Sequence, residues 1–193
     1  MTYESLDTWE GLKAECEGCF NCELCKGRHN VVFGAGSTEA EIMFIGEGPG
    51  EQEDLQGIPF VGPAGKLLDS MLEMIDLDRS KVYIANIVKC RPPGNRDPKE
   101  TEQVACISWL YRQMVLLNPK IVVCLGRIAA GMIMNKNLKI TKEHGLWYII
   151  EGRHMMATYH PSALLRDPSK RPEAFCDLRK LRKEIQAVCS RTY

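Results

Sequence analysis

The sequence predicts an α/β fold, a three-layer α/β/α sandwich around a central, mainly parallel sheet of four strands. Short apolar runs, typical of strands buried on both faces, recur along the 193-residue chain. Between them lie segments whose apolar residues repeat at helical spacing. Strands that alternate with helices in this way form a parallel sheet covered on both faces. We expect one domain over residues 1–193.

The elements follow in order along the chain. The four apolar runs are 41–46, 82–88, 120–126 and 155–159, and a further strand is expected at 146–151, before the last run. Helices are expected over 5–18, from Pro63, from Asp97, after the strand at 120–126, and at the C-terminus. The helix from Asp97 has an apolar face of Val104, Ile107, Leu110, Met114 and Leu117, and the terminal helix one of Phe175, Leu178, Leu181, Ile185 and Val188.

Composition excludes several classes of protein. The chain is 45% apolar and 26% charged, which is ordinary for a globular protein and excludes a disordered chain, a collagen and a coiled coil. No apolar run reaches the length of about 18 residues that a membrane span needs. The N-terminus lacks the basic and apolar regions of a secretory signal. We therefore expect a cytoplasmic protein that does not bind membranes.

The zero net charge conceals an uneven distribution of charge. Residues 1–25 carry six acids and one Lys, and residues 39–54 carry six acids and no base. Residues 160–183 carry seven Lys/Arg against three acids. Because nucleic-acid binding needs a basic patch rather than a basic average, the neutral total does not exclude it.

Nine cysteines are many for a cytosolic chain, where disulfides do not persist. Four of them form three overlapping C-x-x-C pairs in a polar, turn-rich segment: Cys16, Cys19, Cys22 and Cys25. This pattern predicts metal ligands rather than core residues. Two more, Cys90 and Cys106, also have polar neighbours, whereas Cys124, Cys176 and Cys189 are interpreted as ordinary residues of a strand and a helix.

The spacing leaves the metal site open. Cys19 and Cys22 could join Cys90 and Cys106 in a four-thiolate site, or the four N-terminal cysteines could form one by themselves. Zinc and iron–sulfur clusters both accept four thiolates.

Three polar loops follow predicted strands, at 46–62, 89–96 and 160–166. Ligands of such sheets bind beyond the C-terminal ends of the strands. These loops therefore predict a binding site at that edge.

The residues of these loops resemble those of a known family. The segments are Gly46-Glu-Gly-Pro-Gly-Glu-Gln-Glu-Asp54 with Gly57-Ile-Pro-Phe-Val-Gly-Pro-Ala-Gly65, Asn86-Ile-Val-Lys-Cys-Arg-Pro-Pro-Gly-Asn-Arg96, and Tyr159-His-Pro-Ser-Ala-Leu-Leu-Arg166. In this order they are similar to the family 4 uracil-DNA glycosylases, which carry a [4Fe–4S] cluster. The likeness extends over about residues 19 to 185.

The resemblance implies a function and a cofactor. It implies a monofunctional DNA-repair hydrolase that removes uracil from single- or double-stranded DNA, and we expect it to act as a monomer. It also implies that the cluster ligands are Cys19, Cys22, Cys90 and Cys106, so that Cys16 and Cys25 depart from the family pattern. The cluster of this family is regarded as structural.

The chemistry of uracil excision assigns the pocket residues. A flipped base needs a stacking platform, a hydrogen-bonding partner for its edge and a donor for the negative charge on the leaving base. Phe60 is expected to stack and Asn86 to read the edge. The resemblance implies that His160 donates to O2, with the backbone of Gly46 and Gly48 beside it. His29, His144 and His154 are given no role.

The group that positions the water is less defined, because Gly48 occupies the place of an Asp in the better-known family of the superfamily. Glu47 and Glu53 are the side chains available, and Glu47 is also expected to line the base pocket.

DNA contacts are expected from basic and apolar residues of the same rim. Arg91, Asn95, Leu165 and Arg166 are the main candidates. Further phosphate partners are Lys89, Arg96, Lys170 and Arg171. Leu164, Leu165 and Arg166 resemble the superfamily loop that wedges into the duplex as the base flips.

Two alternatives remain open. One is a glycosylase of the same superfamily for another deaminated or mispaired base. The other is an iron–sulfur or zinc module that binds nucleic acid without catalysis, which the surplus of cysteines favours and the Phe60, Asn86 and His160 set disfavours.

Overall fold

The computed structural model describes residues 8–193, so the first three positions of the helix expected over 5–18 lie outside the described residues. The helices are α1 (Trp9–Glu17), α2 (Glu51–Gln56), α3 (Pro63–Glu73), α4 (Glu100–Leu117), α5 (Arg127–Ile133), α6 (Ile140–Glu143), α7 (Pro161–Arg166) and α8 (Arg171–Val188). The strands are β1 (Ala35–Gly36), β2 (Ile42–Gly46), β3 (Tyr83–Asn86), β4 (Ile121–Leu125), β5 (Trp147–Ile150) and β6 (Arg153–Thr158). Short 3-10 turns lie at Glu23–Lys26, Pro93–Asn95 and Pro168–Lys170.

The sheet has the order β1-β3-β2-β4-β6-β5. The four central strands are parallel, and they are the four apolar runs of the sequence. The expected count of four strands in the sheet is too low. The strand expected at 146–151 is β5, which joins the sheet as an antiparallel edge, and β1, which was not predicted, forms the other antiparallel edge. The α/β class and the mainly parallel centre are confirmed.

Alternation along β2 divides the core into two layers. Met43 and Ile45 pack with the cluster that contains α1, α4 and α5, whereas Ile42 and Phe44 pack with the cluster that contains α3, α7 and α8. Because side chains of a strand point alternately to opposite faces, one apolar strand serves both layers. The result is the expected α/β/α sandwich.

Two details of the helices differ from the expectation. The helix expected from Asp97 begins at Glu100, and the Glu102 carboxylate accepts the Lys99 backbone N–H at 2.7 Å. Val104 is 62% exposed rather than inward, because α4 buries the polar side chains of Glu102 and Gln113 on its inner face. Phe175 of α8 is likewise exposed.

The opposite, N-terminal edge of the sheet is closed by Glu41. Its carboxylate accepts the backbone N–H groups of Ser190 and Arg191 at 3.0 and 2.8 Å and the Thr192 hydroxyl at 3.0 Å, and Lys120 Nζ lies 2.8 Å away. This buried carboxylate therefore fixes the C-terminal residues to the start of β2. Among residues 8–193, no helix is both long and apolar enough to cross a bilayer.

Candidate active site

The three polar loops meet at the C-terminal edge of the sheet around one cavity of about 700 Å³. Phe60, Asn86 and His160 line this cavity together. Other predicted site residues line it as well: Glu47, Gly48, Glu53, Asn95, Leu165 and Arg166. The cavity is large enough for a flipped base and part of its sugar, since ligand pockets commonly hold about 300–1,000 Å³.

Asn86 is the last residue of β3 and is 1% exposed. Its Oδ1 has no hydrogen-bond partner among residues 8–193. A buried amide oxygen without a partner is costly, so it is an acceptor available to a ligand. Gly46 lies against it, because a Cβ at Gly46 would overlap both Asn86 Oδ1 and the Phe60 ring.

Phe60 adopts a left-handed backbone conformation with φ of 56°. An aromatic residue in this region is strained, so the surrounding structure must hold it there. Arg79 donates to the carbonyl oxygens of Pro59 and Phe60. The ring is buried, and its centroid lies 5.6 Å from that of His160.

His160 immediately precedes α7, and its ring is fixed by Ser162. The Ser162 backbone N–H donates to Nδ1 at 3.1 Å, and the Ser162 hydroxyl lies 2.7 Å from the same atom. Burial, and then the positive charge of Arg166, lower the pKa of His160 to about 4. The imidazole is therefore neutral at pH 7, with its proton on Nε2.

The two glutamates of the first loop differ in their surroundings. Burial, and then the nearby charge of Asp97, raise the pKa of Glu47. Glu53 uses both oxygens within the protein: Oε1 accepts the Val61 and Gly62 N–H groups, both at 2.8 Å, and Oε2 accepts the Gly50 N–H at 3.1 Å. This geometry favours Glu53 as a brace of the Phe60 loop and leaves Glu47 as the carboxylate available to a water.

Three of the four residues predicted to contact DNA line the cavity, namely Asn95, Leu165 and Arg166, whereas Arg91 does not line it. Leu165 is 40% exposed, and Arg166 is also at the surface. Arg91 donates to Asn95 Oδ1 at 2.8 Å, and its Nη1 lies 3.5 Å from a Glu51 carboxylate oxygen.

Two residues expected at the rim are buried instead. Leu164 lies on the buried side of α7 and packs in the core, so it cannot share a duplex wedge with Leu165. Lys89 is 1% exposed, and its Nζ donates to Gln113 Oε1 at 2.7 Å, so the prediction of a phosphate contact is wrong. Arg96 is occupied by a bidentate pair with Glu102.

The cysteines meet at a second hollow beneath the loop 89–96. It is lined by Cys16, Cys19, Cys22, Cys25, Cys90 and Cys106. Within the described part of the chain, no three His, Cys, Asp or Glu side chains are arranged around a single metal ion. Cys124 is a buried core residue and Cys176 is exposed on α8, as their interpretation as ordinary residues implies.

N–H donors contact the sulfur of three of the six cysteines at this hollow. Sγ of Cys19, Cys90 and Cys106 accept from the Asn21 N–H at 3.5 Å, from Arg28 at 3.4 Å and from the Lys89 N–H at 3.3 Å. Between residues 8 and 193, no such donor contacts the sulfur of Cys16, Cys22 or Cys25. Such bonds are typical of thiolates that hold a metal or cluster.

Arg28, His29 and Asn30 connect this hollow to the active-site loop. Arg28 also donates to the Cys19 carbonyl at 2.7 Å, while His29 Nδ1 lies 2.6 Å from the buried Asp54 carboxylate. Asn30 Nδ2 donates to the Asp54 carbonyl at 2.8 Å. The cysteine segment is therefore attached directly to α2.

Sequence reasoning missed Arg79, Ser162 and Arg28. Only Ser162 had a local signal, since it is two residues after His160 at the start of a helix. Arg79 and Arg28 are connected to the site through tertiary contacts alone.

Comparison with known proteins identifies the family. The model of the uracil DNA glycosylase superfamily matches residues 33–186. A type-4 uracil-DNA glycosylase of Sulfurisphaera tokodaii is 45% identical over 92% of this chain and 84% of its own length. One of Archaeoglobus fulgidus is 45% identical over 92% of each chain, and one of Saccharolobus solfataricus is 43% identical over 94% of this chain and 88% of its own. The α/β/α fold with its strand-end cavity thus defines a superfamily member. The chain belongs to the type-4 family of uracil-DNA glycosylases.

Proposed function

We propose that this chain hydrolyses the N-glycosidic bond of deoxyuridine in DNA, releasing uracil and leaving an abasic site for base excision repair. The observation that carries the proposal is the unpartnered Oδ1 of Asn86, which lies in one cavity with Phe60 and His160. Family membership supports the same reaction, because the relatives named above are uracil-DNA glycosylases.

Uracil is recognised by stacking and by its edge. The flipped base stacks on Phe60, Asn86 Oδ1 accepts the uracil N3–H, and Asn86 Nδ2 donates to O4. Cytosine has an acceptor at N3 and a donor amine at C4, so it reverses both partners and leaves the buried amide unsatisfied. The backbone around Gly46 and Gly48 lets the base approach closely.

Bond cleavage moves charge onto the base. The C1′–N1 bond breaks, its electron pair passes to uracil, and the Nε2–H of neutral His160 donates to O2 as the charge develops. A water oxygen then bonds to C1′, and Glu47 accepts the water proton and passes it to solvent. The raised pKa of Glu47 suits this role as a base.

DNA is held along the rim of the cavity. Arg91 and Arg166 contact phosphates, Asn95 contacts the strand near the flipped nucleotide, and Leu165 occupies the space that the base vacates. We expect the protein to act as a monomer in the cytoplasm on single- or double-stranded DNA.

We further propose that Cys19, Cys22, Cys90 and Cys106 hold a [4Fe–4S] cluster. The four sulfurs face one hollow, N–H donors contact those of Cys19, Cys90 and Cys106, and the four positions match the ligand pattern that the family resemblance implies. When bound, the cluster supplies a structural cross-link between the N-terminal segment, the loop after β3 and α4. Cleavage of the glycosidic bond needs no electron transfer from it.

A uracil-release assay tests the proposed function. Purified protein is incubated with oligonucleotides that contain uracil, hypoxanthine, xanthine or a G·T pair, and we expect release of uracil only. His160→Ala and Asn86→Ala are each expected to slow single-turnover release by about 10²-fold or more, because each removes a prepared hydrogen bond.

His154→Ala is the matched control, because His154 pairs with Glu184 at 2.6 Å outside the cavity. Its rate should stay within about twofold of that of the wild type. Release of another base in place of uracil would favour the first alternative. DNA binding without release of any base would favour a non-catalytic module.

A further inference from the structure

Arg79 lies in the connection between α3 and β3, outside every motif of the active-site loops. It is nevertheless close to the cavity, because its guanidinium group contacts two backbone carbonyls of the loop that carries Phe60. The Phe60 ring lines the cavity, but Arg79 does not.

The guanidinium group uses three donors. Nη1 donates to the Pro59 carbonyl at 2.9 Å, Nη2 donates to the Phe60 carbonyl, and Nε donates to Asp69 Oδ1 at 2.7 Å. Asp69 belongs to α3, so the guanidinium group is itself anchored to a helix. The fixed planar shape of the group suits this arrangement of three acceptors.

The Phe60 carbonyl has little room to move. A Cβ at Gly65 would overlap the Phe60 carbonyl, so the first turn of α3 packs closely against this group. Arg79 donates a hydrogen bond to the same carbonyl oxygen. Immediately after Phe60 in the chain, the backbone N–H groups of Val61 and Gly62 donate to the Glu53 carboxylate. These contacts enforce the left-handed conformation of Phe60, which an aromatic residue rarely adopts.

We propose that Arg79 is the positioning residue that sets the plane of the Phe60 ring and so determines how tightly the flipped pyrimidine is held. This inference rests on the proposed function, in which Phe60 is the stacking platform. Arg79 does not touch the base. It acts through two backbone carbonyls, and rotation of φ at Phe60 would turn the ring away from Gly46 and His160.

The expected kinetic effect is on binding rather than on cleavage. Stacking on Phe60 holds the base both before and during bond cleavage, and loss of such uniform binding raises KM with little change in kcat. Arg79→Met keeps the length of the side chain and removes the donors. It should weaken inhibition by free uracil about tenfold and raise the half-saturating DNA concentration about tenfold, with the maximal rate changed by less than about threefold.

The control is Arg182→Met, which removes a surface ion pair with Asp76, three residues after the C-terminal end of α3. It should leave both constants unchanged within about twofold. In Arg79→Ala, added ethylguanidinium at about 10 mM should restore uracil inhibition by at least about threefold, because the planar group can occupy the vacated site. The same additive should have no effect on the wild type or on Arg182→Met.

Unchanged uracil inhibition in Arg79→Met would overturn the proposal, and so would losses of binding and maximal rate in equal measure. If Arg79→Met does not fold, Arg79→Lys decides, because a lysine beside Asp69 cannot reach both carbonyls and should weaken uracil inhibition about fivefold. An unchanged inhibition constant in that variant refutes the inference. Failure of the proposed function is distinguishable, because the wild type itself would then release no uracil.

Discussion

The backbone N–H of Ser162 donates to Nδ1 of His160 at 3.1 Å. A backbone amide can only donate, so Nδ1 must be the acceptor and the ring proton must be on Nε2. The Ser162 hydroxyl lies 2.7 Å from Nδ1 and can donate to the lone pair of the same nitrogen. The local turn at the start of α7 therefore selects the tautomer that can donate to a substrate.

The first prediction concerns pH. The pKa of His160 is lowered to about 4, so His160 stays neutral as the pH falls from 8 to about 5 and loses its role only below that range. Single-turnover rates between pH 4.5 and 8.5 should therefore show no loss due to His160 near pH 6.5, the ordinary pKa of histidine. A loss centred near pH 6.5 that is absent from His160→Gln would contradict this assignment.

The acid limb of the same profile should belong to Glu47. Burial, and then Asp97, raise the pKa of Glu47 above the ordinary 4.5, and a base must be deprotonated to act. Activity should therefore fall as the pH drops through this raised value. Glu47→Gln should slow release by about 10²-fold and remove the acid limb. An acid limb that persists in this variant would assign the water to another group.

The second prediction concerns Glu53. Glu53→Gln replaces one acceptor oxygen with an amide NH2 group, which can only donate and would face N–H donors, so we expect the Phe60 loop to loosen. The free energy of unfolding should fall by about 1–3 kcal/mol, and uracil inhibition should weaken. The pH profile should keep its shape, because Glu53 braces the loop and takes no proton. Glu73→Gln, at an exposed position at the end of α3 outside the cavity, is the control. A changed acid limb in Glu53→Gln would show that Glu53 acts on the water instead.

The third prediction concerns the cysteines. The purified protein should contain iron and sulfide and absorb broadly near roughly 400 nm. Cys19→Ser, Cys22→Ser, Cys90→Ser and Cys106→Ser should each lose most of this absorbance. Cys16→Ser and Cys25→Ser should retain it, because neither residue is a ligand of the proposed cluster. A colourless wild type with stoichiometric zinc would refute the iron–sulfur assignment.

The fourth prediction concerns stability at the edge of the sheet opposite to the active site. Burial by itself would raise the pKa of Glu41, but hydrogen bonds from Lys120, Ser190, Arg191 and Thr192 lower it to about 2. Because the folded-state pKa lies below the ordinary value, this stabilisation is complete above about pH 4.5 and is lost as the pH falls toward 2.

Glu41→Gln should lower the free energy of unfolding in urea by about 2–4 kcal/mol at pH 7 and flatten its dependence on acid. Uracil release at 25 °C should not change, because Glu41 precedes β2 and the active site follows it. Glu39→Gln removes only an exposed pair with Arg191 and should cost less than about 0.5 kcal/mol. Equal losses in the two variants would mean that the buried contacts add nothing.

The sequence predicted the central sheet because each of its strands is a continuous apolar run, which is typical of strands buried on both faces. It did not predict α2, whose six residues include three acids and no apolar repeat. The burial of Val104 was mispredicted because Gln113 and Glu102 are inside, and only their tertiary partners explain why polar side chains are buried there.

The same distinction applies to the site. Phe60, Asn86 and His160 could be placed in advance, because each lies in a polar loop or at the end of a strand. The burial of Lys89 could not, since a lysine next to a loop is normally solvated and its partner Gln113 is 24 residues away. The contacts of Arg79 could not be predicted either, because they join it to carbonyls about 20 residues earlier in the chain, which only the tertiary fold brings close.

The position of β6 next to β4 has a consequence for the order in which activity develops during synthesis. Phe60 and Asn86 leave the ribosome early, but His160 follows the last parallel strand, and that strand can pair with β4 only after α5, α6 and β5 have been synthesised. Domains tend to fold as units during translation. A nascent chain that ends before β6 can therefore contain the stacking platform and the residue that reads the base edge, and still lack the donor needed to excise the base.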